Sequence, residues 1–107
     1  MQTAKRKQLE AKGWKTGSAA DFLGLTDEEA TYIELKLKLG NSLKNARVKR
    51  NITQQDLAKR IKSSQSRVVK MEKGHPSVSI DLLIKSLLVL GVTDKEIAKA
   101  ITSTRVI

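Results

Sequence analysis

A chain of 107 residues is long enough for one domain with a single modest core and too short for a large cleft between lobes. Lysine and arginine number 21 against 11 acidic residues, giving +10 at pH 7, so polyanions are the matching class of partner. The absence of cysteine excludes disulfides, thiolate metal sites and a cysteine nucleophile, and three aromatics (Trp14, Phe22, Tyr32) are too few for a surface that stacks single-stranded bases.

No apolar run reaches membrane-spanning length, and the basic N-terminus "MQTAKRKQLEAKGWK" lacks the apolar core of a signal peptide. The chain therefore reads as soluble and cytoplasmic, with no membrane partner. Residues 1–17 show no sustained periodicity and read as a tail, the start of an N-terminal extension over 1–25. Ser18 is placed to cap a short helix through "AADFLG", which Gly24 stops.

Thr26 and Glu29 form a capping-box pair, which predicts a helix from about 27 to 50. On it Leu35, Leu39, Leu43 and Ala46 make one stripe, while Ile33 and Leu37 fall opposite, so two packing partners are expected. Gly40 is a point at which this helix could kink.

Asn51 and Ile52 break the helix, and Thr53 caps the next, "QQDLAKRI", whose inner face is Leu57, Ala58 and Ile61. Lys62 and Ser63 turn the chain, and Ser63 or Ser64 caps "QSRVVKMEK", with Val68 and Met71 inward. Two short helices joined by a tight turn form a helix-turn-helix. Gly74 and Pro76 end the second of them.

Ser79 caps "IDLLIKSLLVLG", which carries more apolar surface than one core-facing stripe needs. A second buried face follows: the leucines of 82–90 read as core first and dimer seam second, their number requiring both, with Leu83, Leu87 and Leu90 the candidates for the seam. Thr93 and Glu96 repeat the capping box for a last helix with Ile97, Ala98 and Ile101 on its apolar stripe.

Charge and motif coincide. Residues 41–73 hold ten cations against two acids. In a helix-turn-helix the second helix enters the DNA major groove, its N-terminal residues reach base edges, and the flanks hold phosphates. Gln65, Ser66, Arg67 and Lys70 are the side-chain types that pair with base edges, at the positions that reach them. Arg47, Thr53, Gln54, Arg60, Lys62, Ser63, Ser64 and Lys73 surround them as candidates for phosphate contact.

The run "TQQDLAKRIKSSQSRVVKMEKG" resembles the helix-turn-helix of the phage repressor and Cro (XRE) family, closely over residues 53–74 and more widely over 39–90. The shared marks are Thr53 and Gln54 before Leu57 and Ala58, the pair Ser64 and Gln65, and Glu72 followed by Gly74. The resemblance implies an all-α, lambda-repressor-like domain of about five helices over 26–103, following the N-terminal extension. It implies that Gln54 contacts phosphate beside Gln65, that Gln65, Ser66 and Lys70 read bases, and that Arg47 pairs with Glu72. Lys62 stands where the family often has glycine, so a left-handed backbone is expected at a lysine.

With "GWKTG", "DFLGLTDEEA" and the segment from Ser63 to Gly91, the whole chain is similar to HigA-like antitoxins of bacterial toxin-antitoxin operons. That likeness implies a homodimer that represses its own promoter on double-stranded DNA and neutralises a ribonuclease toxin. The alternative is a free-standing phage-like repressor or activator with no toxin.

Other residues take plainer readings. Arg47 and Glu72 are first a structural pair, and Lys59 and Arg60 are equally a solvated helix face. His75 is a loop residue with no acid or nucleophile at a useful spacing, so no enzyme is expected. Asp27, Glu28 and Glu29 are helix-start charges, and neither metal nor cofactor is expected. Trp14, with Phe22, is either a folded-back core residue or a contact for a partner protein.

Overall fold

The computed structural model describes residues 24–102 of the protein. These form five α-helices and no strand: α1 (Asp27–Lys49), α2 (Gln54–Arg60), α3 (Gln65–Glu72), α4 (Ile80–Val89) and α5 (Asp94–Thr102). The short helix expected after Ser18 lies outside the described residues, as do Trp14 and Phe22. The chain divides into two compact units between Glu34 and Leu35, within α1; α2 to α5 belong to the second unit.

Every helix starts on a hydroxyl. Thr26 and Glu29 exchange side-chain-to-amide bonds of 2.9 and 3.0 Å, and Thr93 and Glu96 do the same at 2.9 and 3.2 Å. Thr53, Ser64 and Ser79 accept from the amides of Asp56, Arg67 and Leu82, satisfying donors that an isolated helix end leaves open. The Thr93 amide and hydroxyl hold the Glu96 carboxyl below the ordinary carboxylate range, helped by the charges of Arg50 and Lys49.

The ends of α1 to α4 share one geometry, in which the chain turns left-handed one residue past the cap and the following amide reaches back to the last turn. The bonds are Ile52 N–H to Arg47 O, Ser63 N–H to Ala58 O, His75 N–H to Lys70 O and Val92 N–H to Leu87 O, at 2.8–3.0 Å. The left-handed residues are Asn51, Lys62, Gly74 and Gly91. Lys62, at φ 56°, takes the strained conformation that its place in the turn requires.

The core gathers Leu39, Leu43 and Ala46 of α1, Leu57 and Ala58 of α2, Val68 and Met71 of α3, Leu83 and Leu87 of α4 and Ile97 of α5. Val78, Leu90 and Val92 close it from the connections, Ile61 and Ile101 pack against its edge, and Ala98 is exposed. The apolar excess of α4 is absorbed here. Leu83, Leu87 and Leu90 are 0, 0 and 6% exposed within the single chain, where they fill its own core. The exposed large apolar residues of α4 are Leu88 and Val89, while Ile80, Leu82 and Ile84 are half-buried.

One polar atom disagrees with this core. Ser86 is fully buried and its Oγ has no hydrogen-bond partner among the described residues. An unpaired buried hydroxyl costs about 1–3 kcal/mol, and alanine is also the better helix former. Ser86→Ala is therefore expected to raise thermal stability, with each kcal/mol worth roughly 4–8 °C in a domain of this size. A calorimetric melt checks it, and a lower midpoint would mean that the hydroxyl is satisfied in solution.

Candidate nucleic-acid interface

Helices α2 and α3 and the turn between them are built by the caps just described. Lys62 at positive φ sends the chain sharply from the end of α2 into Ser63, and Ser64 then opens α3. Val68 and Met71 face inward, fully buried, while Gln65, Ser66, Arg67 and Lys70 of this eight-residue helix and Lys73 at its C-cap stand exposed. The Ser64 and Ser66 hydroxyls lie 3.2 Å apart at its start. Lys59, Arg60 and Lys62 are exposed as well, so the motif carries six solvent-facing cations between Lys59 and Lys73.

A chain of polar contacts ties the start of α3 to α1. Gln65 Nε2 donates to Gln54 Oε1 at 3.4 Å, and Gln54 Nε2 donates to Glu72 Oε1 at 3.2 Å. The guanidinium of Arg47 meets both Glu72 oxygens, at 2.6 Å from Nε and 3.2 Å from Nη2, and donates from Nη1 to Ile52 O at 2.9 Å. The ion pair is sequestered, its side chains 12 and 4% exposed, so charge and hydrogen bonding fix both partners. Arg47 is thus engaged in structure. Gln54 is held by a carboxylate on one side and offers its own oxygen to Gln65 on the other.

The sequence-predicted residues separate accordingly. Gln65, Ser66, Arg67 and Lys70 are all exposed on α3, and Arg60, Lys62, Ser64 and Lys73 are exposed near them in the chain. Ser63 and Gln54 are half-buried, and Thr53 is exposed at the start of α2, where its hydroxyl also caps the helix. The His75 ring bonds within its own loop, its Nδ1 accepting the Ser77 amide at 3.0 Å.

The helix-turn-helix family matches residues 43–103, which run from the second half of α1 to the end of α5. The protein belongs to this family, in its XRE type. No curated protein and no solved structure matches the chain. As a helix-turn-helix protein it is a DNA-binding regulator, and the family's domain is not an enzymatic one. Among the described residues no three His, Cys, Asp or Glu side chains could share a metal ion, and no helix is long and apolar enough to cross a membrane.

Two residues of this helix-turn-helix protein escaped the sequence reading. Lys36, on α1, is 5% exposed, and its ammonium donates to Pro76 O at 3.0 Å, just beyond the end of α3. Gly40, expected as a kink, lies in the uninterrupted α1 and is buried against the backbone of α3. A lysine on a helix beside leucines reads as a solvated charge, and lysine is almost never fully buried unless paired. A helical glycine alone signals a weak point and nothing of what lies across from it.

Proposed function

We propose that the protein is a sequence-specific repressor that binds a roughly palindromic operator as a homodimer, with α3 of each subunit in successive major grooves. The observation that carries this reading is the exposed face of α3. Gln65, Ser66, Arg67 and Lys70 are all exposed on it, and α2, the turn and α3 with its cap carry six exposed cations. Gln and Lys or Arg match the major-groove edges of adenine and guanine, and Ser reaches several acceptors. Arg60, Lys62, Ser64, Lys73 and Thr53, with the half-buried Ser63 and Gln54 and the remaining N–H groups of Arg47, would hold phosphates. A second copy would pack on Leu88 and Val89, the exposed apolar pair of α4.

The finer reading makes the protein an antitoxin that represses its own operon and binds a ribonuclease toxin. The observation favouring a protein partner is the exposed apolar pair Tyr32 and Ile33 near the start of α1, next in the chain to the extension that carries Trp14 and Phe22. The free-standing repressor without a toxin is the competing reading.

One experiment tests both levels. The purified protein is titrated, over a salt series, onto the duplex upstream of its own gene and onto a scrambled duplex, with and without the co-expressed product of the adjacent gene. A preference for its own promoter on top of salt-sensitive binding to both supports the repressor. Equal binding to both duplexes by a monomer overturns it, and failure of the adjacent product to co-purify removes the antitoxin reading alone.

A further inference from the structure

We propose that Gly40 and Lys36 are positioning residues for DNA reading: together they seat the C-terminal end of α3 on α1 and so set the angle at which α3 presents its base-reading face. The proposal rests on the assignment of α3 as the reading helix.

The contact is backbone on backbone. A Cβ added at Gly40 would lie 2.5 Å from Met71 O and 3.0 Å from both Glu72 O and Gly74 N. A Cβ at Gly74 would lie 3.1 Å from Leu37 N and Cα. Each glycine therefore lies close against main chain across the contact; at Gly40 every obstacle is backbone, while at Gly74 the Leu37 Cδ2 stands at 3.1 Å beside the backbone atoms. The reason for Gly74 is double, because its φ of 65° also ends α3. Gly40 has no such second reason. It sits inside a 23-residue helix, where glycine weakens the helix relative to alanine, so the close approach accounts for it.

Lys36 acts one turn earlier on the same face. Its buried ammonium holds Pro76 O at 3.0 Å, while seven residues beyond Gly40 the Arg47 guanidinium grips the Glu72 carboxylate. Three positions on α1 thus hold residues 71–76, where α3 ends. Helix α3 spans only about 12 Å, so its first turn, where Gln65, Ser66 and Arg67 stand, is carried rigidly by whatever fixes its last. Ordinary Cβ contacts begin at 3.4 Å, so a methyl group at Gly40 pushes the Met71 carbonyl by about 1 Å. Base contacts need their groups held within roughly 0.5 Å.

The test uses the full chain and the duplex that wild type enriches from a random pool. Gly40→Ala is compared with Gly91→Ala, which strains a left-handed residue at φ 88° but meets nothing within 4 Å and lies away from α3. Both variants lose stability, and both are assayed well below their melting midpoints. Gly40→Ala is expected to lose roughly tenfold in preference for the enriched over a scrambled duplex, the equivalent of one base contact. Its salt-dependent binding to scrambled DNA is unchanged, and the amide resonances of Gln65 to Lys70 shift. Gly91→Ala keeps the wild-type preference. A wild-type preference in Gly40→Ala, or an equal loss in both variants, overturns the proposal.

Should Gly40→Ala not fold, Lys36→Met decides. It preserves the buried stem and removes the bond to Pro76. A reduced preference supports the seating role, and a wild-type preference overturns it. If wild type itself enriches no duplex, the DNA-reading assignment fails instead. The seating is then judged on the amide resonances alone, and unmoved Gln65 to Lys70 signals in Gly40→Ala overturn it.

Discussion

The double variant Gln65→Ala, Lys70→Ala is expected to retain nonspecific DNA binding and lose the preference for its own site. Both side chains are exposed and neither supports the core, so stability should change by less than about 0.5 kcal/mol for each. Each good base contact carries about 1–3 kcal/mol of discrimination; two of them, even at the lower limit, amount to roughly 30-fold in the ratio of specific to scrambled binding. Arg60→Ala and Lys62→Ala serve as the contrast. Loss of a phosphate contact weakens binding to every sequence alike and flattens the dependence of log K on log salt by about one unit per charge. The same salt-series titration separates the two patterns. If the double variant keeps the full preference, Gln65 and Lys70 are part of a solvated cationic face, and the bases are read from elsewhere.

Much of this geometry was legible in the sequence because it depends on local spacing. A hydroxyl followed three residues later by a carboxylate bonds to its own helix start whatever the rest of the chain does, so Thr26 with Glu29 and Thr93 with Glu96 could be placed directly. The helix-turn-helix was legible for a related reason: Leu57, Ala58, Val68 and Met71 fall on inner faces fixed by helical periodicity once Thr53 and Ser64 mark the starts. What was not legible depends on residues far apart in sequence. Lys36 is buried because a carbonyl forty residues away faces it, and no pattern within α1 announces that. The leucines of α4 looked too many for one face because the number of neighbours was unknown. Leu83 and Leu87 belong to one core cluster with side chains from all the other helices, so the apparent surplus becomes ordinary core.

The Arg47–Glu72 pair carries the largest predicted effect on folding, and it can be used to separate stability from reading. Removing one partner of a sequestered ion pair leaves an uncompensated buried charge and costs about 3–5 kcal/mol, a large share of the roughly 5–15 kcal/mol that holds a domain together. Glu72→Ala is therefore expected to lower the melting midpoint by more than about 12 °C, since it strands the guanidinium of Arg47 and removes the acceptor for Gln54. Arg47→Met should fall comparably, because it also leaves Ile52 O without its side-chain donor. Replacing both partners by apolar residues of similar volume removes the stranded charge, so the double variant Arg47→Met, Glu72→Leu should recover most of the lost stability. It does not recover the hold on Gln54, whose Nε2 donates to the Glu72 carboxylate and whose oxygen meets Gln65. The double variant should accordingly melt near wild type yet discriminate less well between its own and scrambled DNA. Calorimetry and the binding titration on the same samples check this; a double variant with wild-type discrimination would show that Gln65 finds its place without the chain of contacts through Gln54.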